Sequence, residues 1–96
     1  MWVLLKMRKR DKLEIMRDIL KVIKENHMHI KMTPLLRKSN LSSKRFADYK
    51  AELLQKELIE EREERKIGKQ IFLTSKGMEF LEKYKAIINF VNEFEL

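Results

Sequence analysis

The sequence predicts a mainly α-helical fold carrying a small β-hairpin, and three observations predict it. Only two of the 96 residues are glycine and one is proline, which leaves little turn material for a many-stranded sheet. Long stretches place apolar residues at three- and four-residue steps, the period of an amphipathic helix. Near the middle, two extended runs flank a basic connection that contains a glycine, the arrangement of a hairpin. The length suits one domain and is too small for two independent cores.

Taken in order, the first helix is expected from Asp11, read as its N-cap, to about Asn26. Leu13, Met16, Ile19, Leu20 and Ile23 form its apolar stripe, which Ile15 and Val22 widen. Glu14, Arg17, Asp18, Lys21 and Lys24 fall largely on the opposite side. The pattern breaks from His27 to Lys31, where Ile30 suits a very short strand. Thr33 followed by Pro34 reads as an N-cap with proline at the first helical position, opening a short helix to about Ser39. Asn40 and Leu41 then make a tight turn, since asparagine tolerates left-handed backbone angles. Ser42 caps the next helix, which runs to about Lys56 with Phe46, Tyr49, Leu53 and Leu54 inward. A short helix, a tight turn and a longer capped helix describe helix-turn-helix geometry.

Ile59–Glu64 and Gln70–Leu73 are the expected hairpin strands, with Arg65 to Lys69 between them. Ile71 and Leu73 share one face of the second strand. The first strand is poor in β-formers and rich in glutamate. Thr74 caps a last helix in which Phe80, Tyr84, Ile87, Val91 and Phe94 recur at steps of 4, 3, 4 and 3. That is the spacing of a coiled-coil seam, and Ile88 and Leu81 flank it. The expected division is a basic N-terminal tail over residues 1–10, a helix-turn-helix domain with its hairpin over 11–74, and a dimerisation helix over 75–96.

Charge is the first indication of function. The chain has a formal net charge of +7, and 39% of its residues are charged. The positive charge is clustered. In residues 1–12, Lys6, Arg8, Lys9, Arg10 and Lys12 against Asp11 leave +4; in residues 31–50, Lys31, Arg37, Lys38, Lys44, Arg45 and Lys50 against Asp48 leave +5. The last twenty residues carry Lys83 and Lys85 against Glu79, Glu82, Glu93 and Glu95, a balance of −2. General solubilisation would not need that asymmetry, whereas a face for a polyanion would.

Several classes of function are set aside. Without cysteine there are no disulfides or thiolate metal sites. His27 and His29 form a His-x-His pair with no evident third ligand, so no metal is expected. Six methionines read as core and interface filler, and Trp2 as a packing residue. There is no glycine-rich phosphate loop and no convincing acid–base pair, so no enzyme activity, cofactor or small-molecule substrate is expected. The apolar start Met1–Leu5 is too short to span a membrane and precedes its basic cluster, the reverse of a signal peptide. A cytoplasmic, nucleoid-associated location is expected.

The order helix, short helix, longer helix, hairpin, helix is the plan of a winged helix. Beyond that plan, Lys12–Met16 through Ile19-Leu20, Thr33–Leu36, Asn40-Leu41-Ser42, Tyr49, Leu53, Leu58-Ile59 and Leu73–Gly77 resemble a narrower group. It is the archaeal winged-helix family of small dimeric chromatin-associated DNA-binding proteins, whose last helices pair as an antiparallel coiled coil. The resemblance covers roughly residues 11–90, and its most specific parts are the Asn-Leu-Ser turn and the Leu-Thr-x-Lys-Gly lead-in to the last helix. It implies double-stranded DNA binding without catalysis, a homodimer formed through the last helix, and a role in transcription regulation or nucleoid organisation. Met1–Leu5, the glutamates of the first hairpin strand and the early end of the last helix depart from it.

In a helix-turn-helix the second helix enters the major groove by its N-terminal part. Ser42, Ser43, Lys44, Arg45, Ala47 and Lys50 are therefore the expected DNA contacts there, and Arg65, Lys66 and Lys69 those at the hairpin tip. The expected dimer contacts are Phe80, Tyr84, Ile87, Ile88, Val91 and Phe94. The competing expectation is a winged helix reused as a protein-interaction module, which the glutamate-rich hairpin and acidic tail favour.

Overall fold

In the computed structural model the backbone is described for residues 2–96 and the side chains for residues 12–96. The chain has four helices and a small sheet, in the order α1 (Trp2–Glu25), β1 (His29–Lys31), α2 (Met32–Ser39), α3 (Ser43–Gln55), β2 (Ile59–Glu64), β3 (Gly68–Leu73) and α4 (Ser75–Glu93). The mainly helical architecture and the long last helix agree with expectation. The hairpin is part of a three-stranded antiparallel sheet of order β1-β3-β2. Ile30 lies opposite Ile71, and Ile59 opposite Leu73, so these four buried side chains share the inner face.

Two helix starts differ from expectation. α1 begins at Trp2, which puts Asp11 within the helix instead of at its cap. The intervening run is rich in Leu, Met, Lys and Arg and lacks Gly and Pro, so nothing in it stops a helix. α2 begins at Met32 with Lys31 at the N-cap and no side-chain cap, so Thr33 is not the capping residue. Pro34 is then the third helical residue, still within the first turn where no N–H has an intrahelical partner. The expected packing of Trp2 and the basic arm at Lys6, Arg8, Lys9 and Arg10 lie outside the described side chains.

The other ends follow the expected local chemistry. Asn40 takes φ 60° after α2. Ser42 Oγ accepts from the Arg45 amide at 3.2 Å, and Thr74 Oγ1 from the Gly77 amide at 3.0 Å. Thr74 also donates to the Glu57 carbonyl at 2.7 Å, which ties the start of α4 to the α3–β2 connection. That connection closes α3 with a Schellman motif: Glu57 N–H reaches Leu54 O at 3.0 Å and Leu58 N–H reaches Leu53 O at 2.9 Å. Glu57 sits at the left-handed position, φ 61°, which glycine would fill without steric cost.

A single core joins the layers. Met16, Ile19, Leu20 and Ile23 of α1 meet Leu35 of α2, Phe46 and Leu53 of α3, and Ile30, Ile59, Ile71 and Leu73 of the sheet. Truncating any of the fully buried leucines or isoleucines to alanine costs about 2–5 kcal/mol. α4 leans on this core at its first turn, where Gly77 is buried against Leu58 and Leu73.

Candidate nucleic-acid interface

α3 shows two faces. Phe46 and Leu53 are buried and Tyr49 half-buried, while Ser42, Ser43, Lys44, Arg45, Ala47, Asp48 and Ala51 are exposed. Lys44, Ala47, Asp48 and Ala51 recur at steps of three and four, so they form one stripe. Its two alanines leave room for a surface to approach the helix backbone, and Lys44 and Arg45 stand at the positive end of the helix dipole. Neither cation has an ion-pair partner among the described residues.

Lys50 and Lys69 behave otherwise. Lys50 Nζ lies 2.9 Å from Glu61 Oε2 and Lys69 Nζ lies 3.7 Å from Glu61 Oε1. Glu61 is thus a clamp between α3 and the hairpin. The hydrogen bond from the Lys50 ammonium, with the Coulombic pull of both lysines, holds its carboxyl below the usual carboxylate range. At the hairpin tip Arg65 and Lys66 are exposed, as are Glu63 and Glu64 beside them. Ile67, at 45%, is an exposed apolar side chain in the same turn. On the outer sheet face Arg62 pairs with Glu60 at 3.3 Å and covers the Phe72 ring at 4.3 Å from its centroid, while the His29 ring meets the same ring at a tilt of 33°, 5.4 Å between centroids.

The α4 residues divide. Phe80, Tyr84, Ile88 and Val91 are half-buried, and Ile87 and Phe94 are exposed. Tyr84 lies under the Arg17 guanidinium of α1 at 5.2 Å, and Leu81 and Ile88 line the same α1–α4 groove. The heptad seam therefore mixes a face turned to α1 with a face turned outward. Phe90, absent from the expected set, completes the outward stripe: Ile87, Phe90 and Phe94 are 56%, 54% and 58% exposed. Its signal was a second run at steps of three and four, hidden beside the first. No group of three His, Cys, Asp or Glu among the described residues can hold a metal ion.

A family model described as winged helix-turn-helix matches residues 9–92, nearly the whole chain. The chain belongs to the winged helix-turn-helix family. In the terms of that family, α2 and α3 are the helix-turn-helix and β2 and β3 the wing. Among solved structures, F93 from STIV, a winged-helix DNA-binding protein, aligns with a TM-score of 0.67 and 24% identity, over 75% of this chain and 84% of that one. At that identity the likeness is one of fold. No curated protein matches the chain. Within this winged helix, Ser42, Ser43, Lys44, Arg45 and Ala47 are all exposed at the N-terminal end of α3, and Arg65 and Lys66 are exposed at the wing tip. Lys50 and Lys69 lie between the two, held on Glu61.

Proposed function

We propose that the chain is a double-stranded DNA-binding protein of the archaeal winged-helix type. It acts as a homodimer in transcription regulation or nucleoid organisation, in the cytoplasm at the nucleoid. The observation that carries this reading is the exposed N-terminal half of α3, whose Lys44 and Arg45 have no ion-pair partner among the described residues of a family that is built around a helix-turn-helix. α3 enters the major groove by Ser42, Ser43, Lys44, Arg45 and Ala47, and Arg65 and Lys66 touch the backbone beside it. F93 is named a DNA-binding protein, and this chain shares its fold. The dimer forms through α4, whose outward stripe Ile87, Phe90 and Phe94 is apolar and exposed in the single chain.

The test is fluorescence anisotropy of a labelled duplex at several salt concentrations. Log affinity should fall linearly with log salt, and Lys44→Glu with Arg45→Glu should weaken binding by about tenfold or more. Absence of binding by the unaltered chain at low salt would refute the proposal.

A second reading, a protein-interaction module, is favoured by the engagement of Lys50 and Lys69 with Glu61 and by Glu63 and Glu64 at the wing tip. It expects the same double charge reversal to leave partner binding intact.

A further inference from the structure

Away from the α3 stripe, a groove of about 530 Å³ opens where α1, the C-terminal end of α3 and the first turns of α4 meet. Its floor is Leu13, Met16, Leu58 and Phe80. Met16 and Leu58 are core residues whose edges show there, while Leu13 is 37% exposed although it lies on the apolar side of α1. Its rim is Lys12, Lys56 and Lys76 with Glu52, three ammonium groups around one carboxylate. Lys12 and Lys56 both lean on the same oxygen of Glu52, at 2.8 and 2.6 Å. Lys76 has no carboxylate within 4 Å among the described residues. The result is an apolar concavity of small-molecule size with a surplus of two positive charges at its edge.

That chemistry selects its occupant. A phosphodiester backbone has no apolar body for the floor, and an uncharged apolar molecule would leave the rim's surplus charge uncompensated. We propose that the groove binds an amphipathic monoanion, an aliphatic carboxylate of medium chain length. Its chain lies on Leu13, Met16, Leu58 and Phe80, and its head on Lys76 and Lys56. The head shares Lys56 with Glu52, and Lys76, which acts on Glu79 only from beyond ion-pair distance, gains a direct partner. Since the walls come from α3 and α4 alike, the occupant touches both the helix proposed to read DNA and the helix proposed to pair. The binding test needs neither of those readings.

The test is a titration of the ¹⁵N-labelled full chain with hexanoate, octanoate and decanoate, and with decanol and decyltrimethylammonium, each below its micelle concentration. The carboxylates should give saturable amide shifts centred on Leu13, Met16, Leu58, Lys76 and Phe80. Affinity should rise about fourfold per added methylene until the floor is covered, the equivalent of burying one methylene. Lys76→Gln should weaken decanoate a few-fold, about the strength of an exposed ion pair, and Lys56→Gln with Lys76→Gln about tenfold. Lys76 is exposed and unpaired among the described residues, so the single variant keeps the fold if the double one does not. Decanol or the cationic detergent binding as tightly as decanoate overturns the proposal. So do shifts that map to Ile87–Leu96, or no saturable shift at millimolar carboxylate.

Discussion

Gly77→Ala tests how α4 is seated on the core, because two effects of opposite sign meet at that residue. Gly77 is helical and buried, and an added methyl would collide with the carbonyl oxygen of Leu58 and lie 2.5 Å from Leu73 Cδ1. Real side chains do not approach that closely, so something must move by close to 1 Å. The Leu58 carbonyl cannot yield freely, since it accepts the Thr74 amide at 3.2 Å, and Leu73 is buried behind it. Helix propensity acts the other way, since alanine is favoured over glycine inside a helix by about 1 kcal/mol. Overpacking of a tight core costs about 1–3 kcal/mol, and an obstacle made of backbone lies toward the top of that range. The net expectation is a loss of about 1–2 kcal/mol. For a chain of this length that lowers Tm by roughly 4–16 °C. Urea unfolding followed by far-ultraviolet circular dichroism, at one fixed protein concentration, measures it. Asn89→Ala, exposed on the same helix, controls for propensity alone. If Gly77→Ala is as stable as the parent, or gains the full 1 kcal/mol that propensity allows, the close approach of α4 to Leu58 is refuted.

Three further outcomes are expected. Glu61→Gln should destabilise at neutral pH. Because the folded pKa lies below the unfolded one, the stabilisation is present above the ordinary value of about 4.3 and is lost as pH falls through the lowered pKa. The gap in urea midpoint between parent and variant should therefore close in acid, and a gap independent of pH would count against the clamp. Glu57→Gly should stabilise by about 0.5–1 kcal/mol in the same assay, because it relieves a left-handed side chain at the α3 terminus. Ile87→Asp with Phe90→Asp should give a monomer by light scattering, since pairing α4 would bury two unpartnered carboxylates. An unchanged dimer mass would move the interface elsewhere.

The parts of the fold legible from sequence are those governed by neighbours in the chain. Ser42 and Thr74 were readable as caps because a hydroxyl reaches an amide only three residues on, and Asn40 because its side chain tolerates the left-handed turn. The same rule misled at Asp11 and Thr33. Both are good capping residues, but the helix runs through Asp11 from Trp2, and α2 takes in Met32 ahead of Thr33 with the extended Lys31 as its cap position. Periodicity found the apolar residues of α4 without saying which surface each would meet. Tyr84 and Ile88 went to α1 within the chain, while Ile87, Phe90 and Phe94 were left facing out. The Glu61 clamp was out of reach, for it needs the distance between α3 and β2, elements that meet only after the core has formed. In sequence those glutamates read as a departure from the DNA-binding family, yet one of them organises two of the lysines expected to contact DNA.

That clamp also changes how the cations should be counted when an ionic atmosphere is displaced. A lysine held by Glu61 already has its counter-charge within the protein, so seating DNA beside it frees no condensed ion. Of Lys44, Arg45, Lys50, Arg65, Lys66 and Lys69, two share this single carboxylate, which cancels one of their two charges. Five charges per chain remain to neutralise phosphates, and the slope of log affinity against log salt should approach about −4.5 per chain, short of the roughly −5.4 that all six would give. Glu61 would then serve as an internal counterion, making the grip on a polyanion less sensitive to salt than the protein's formal charge suggests.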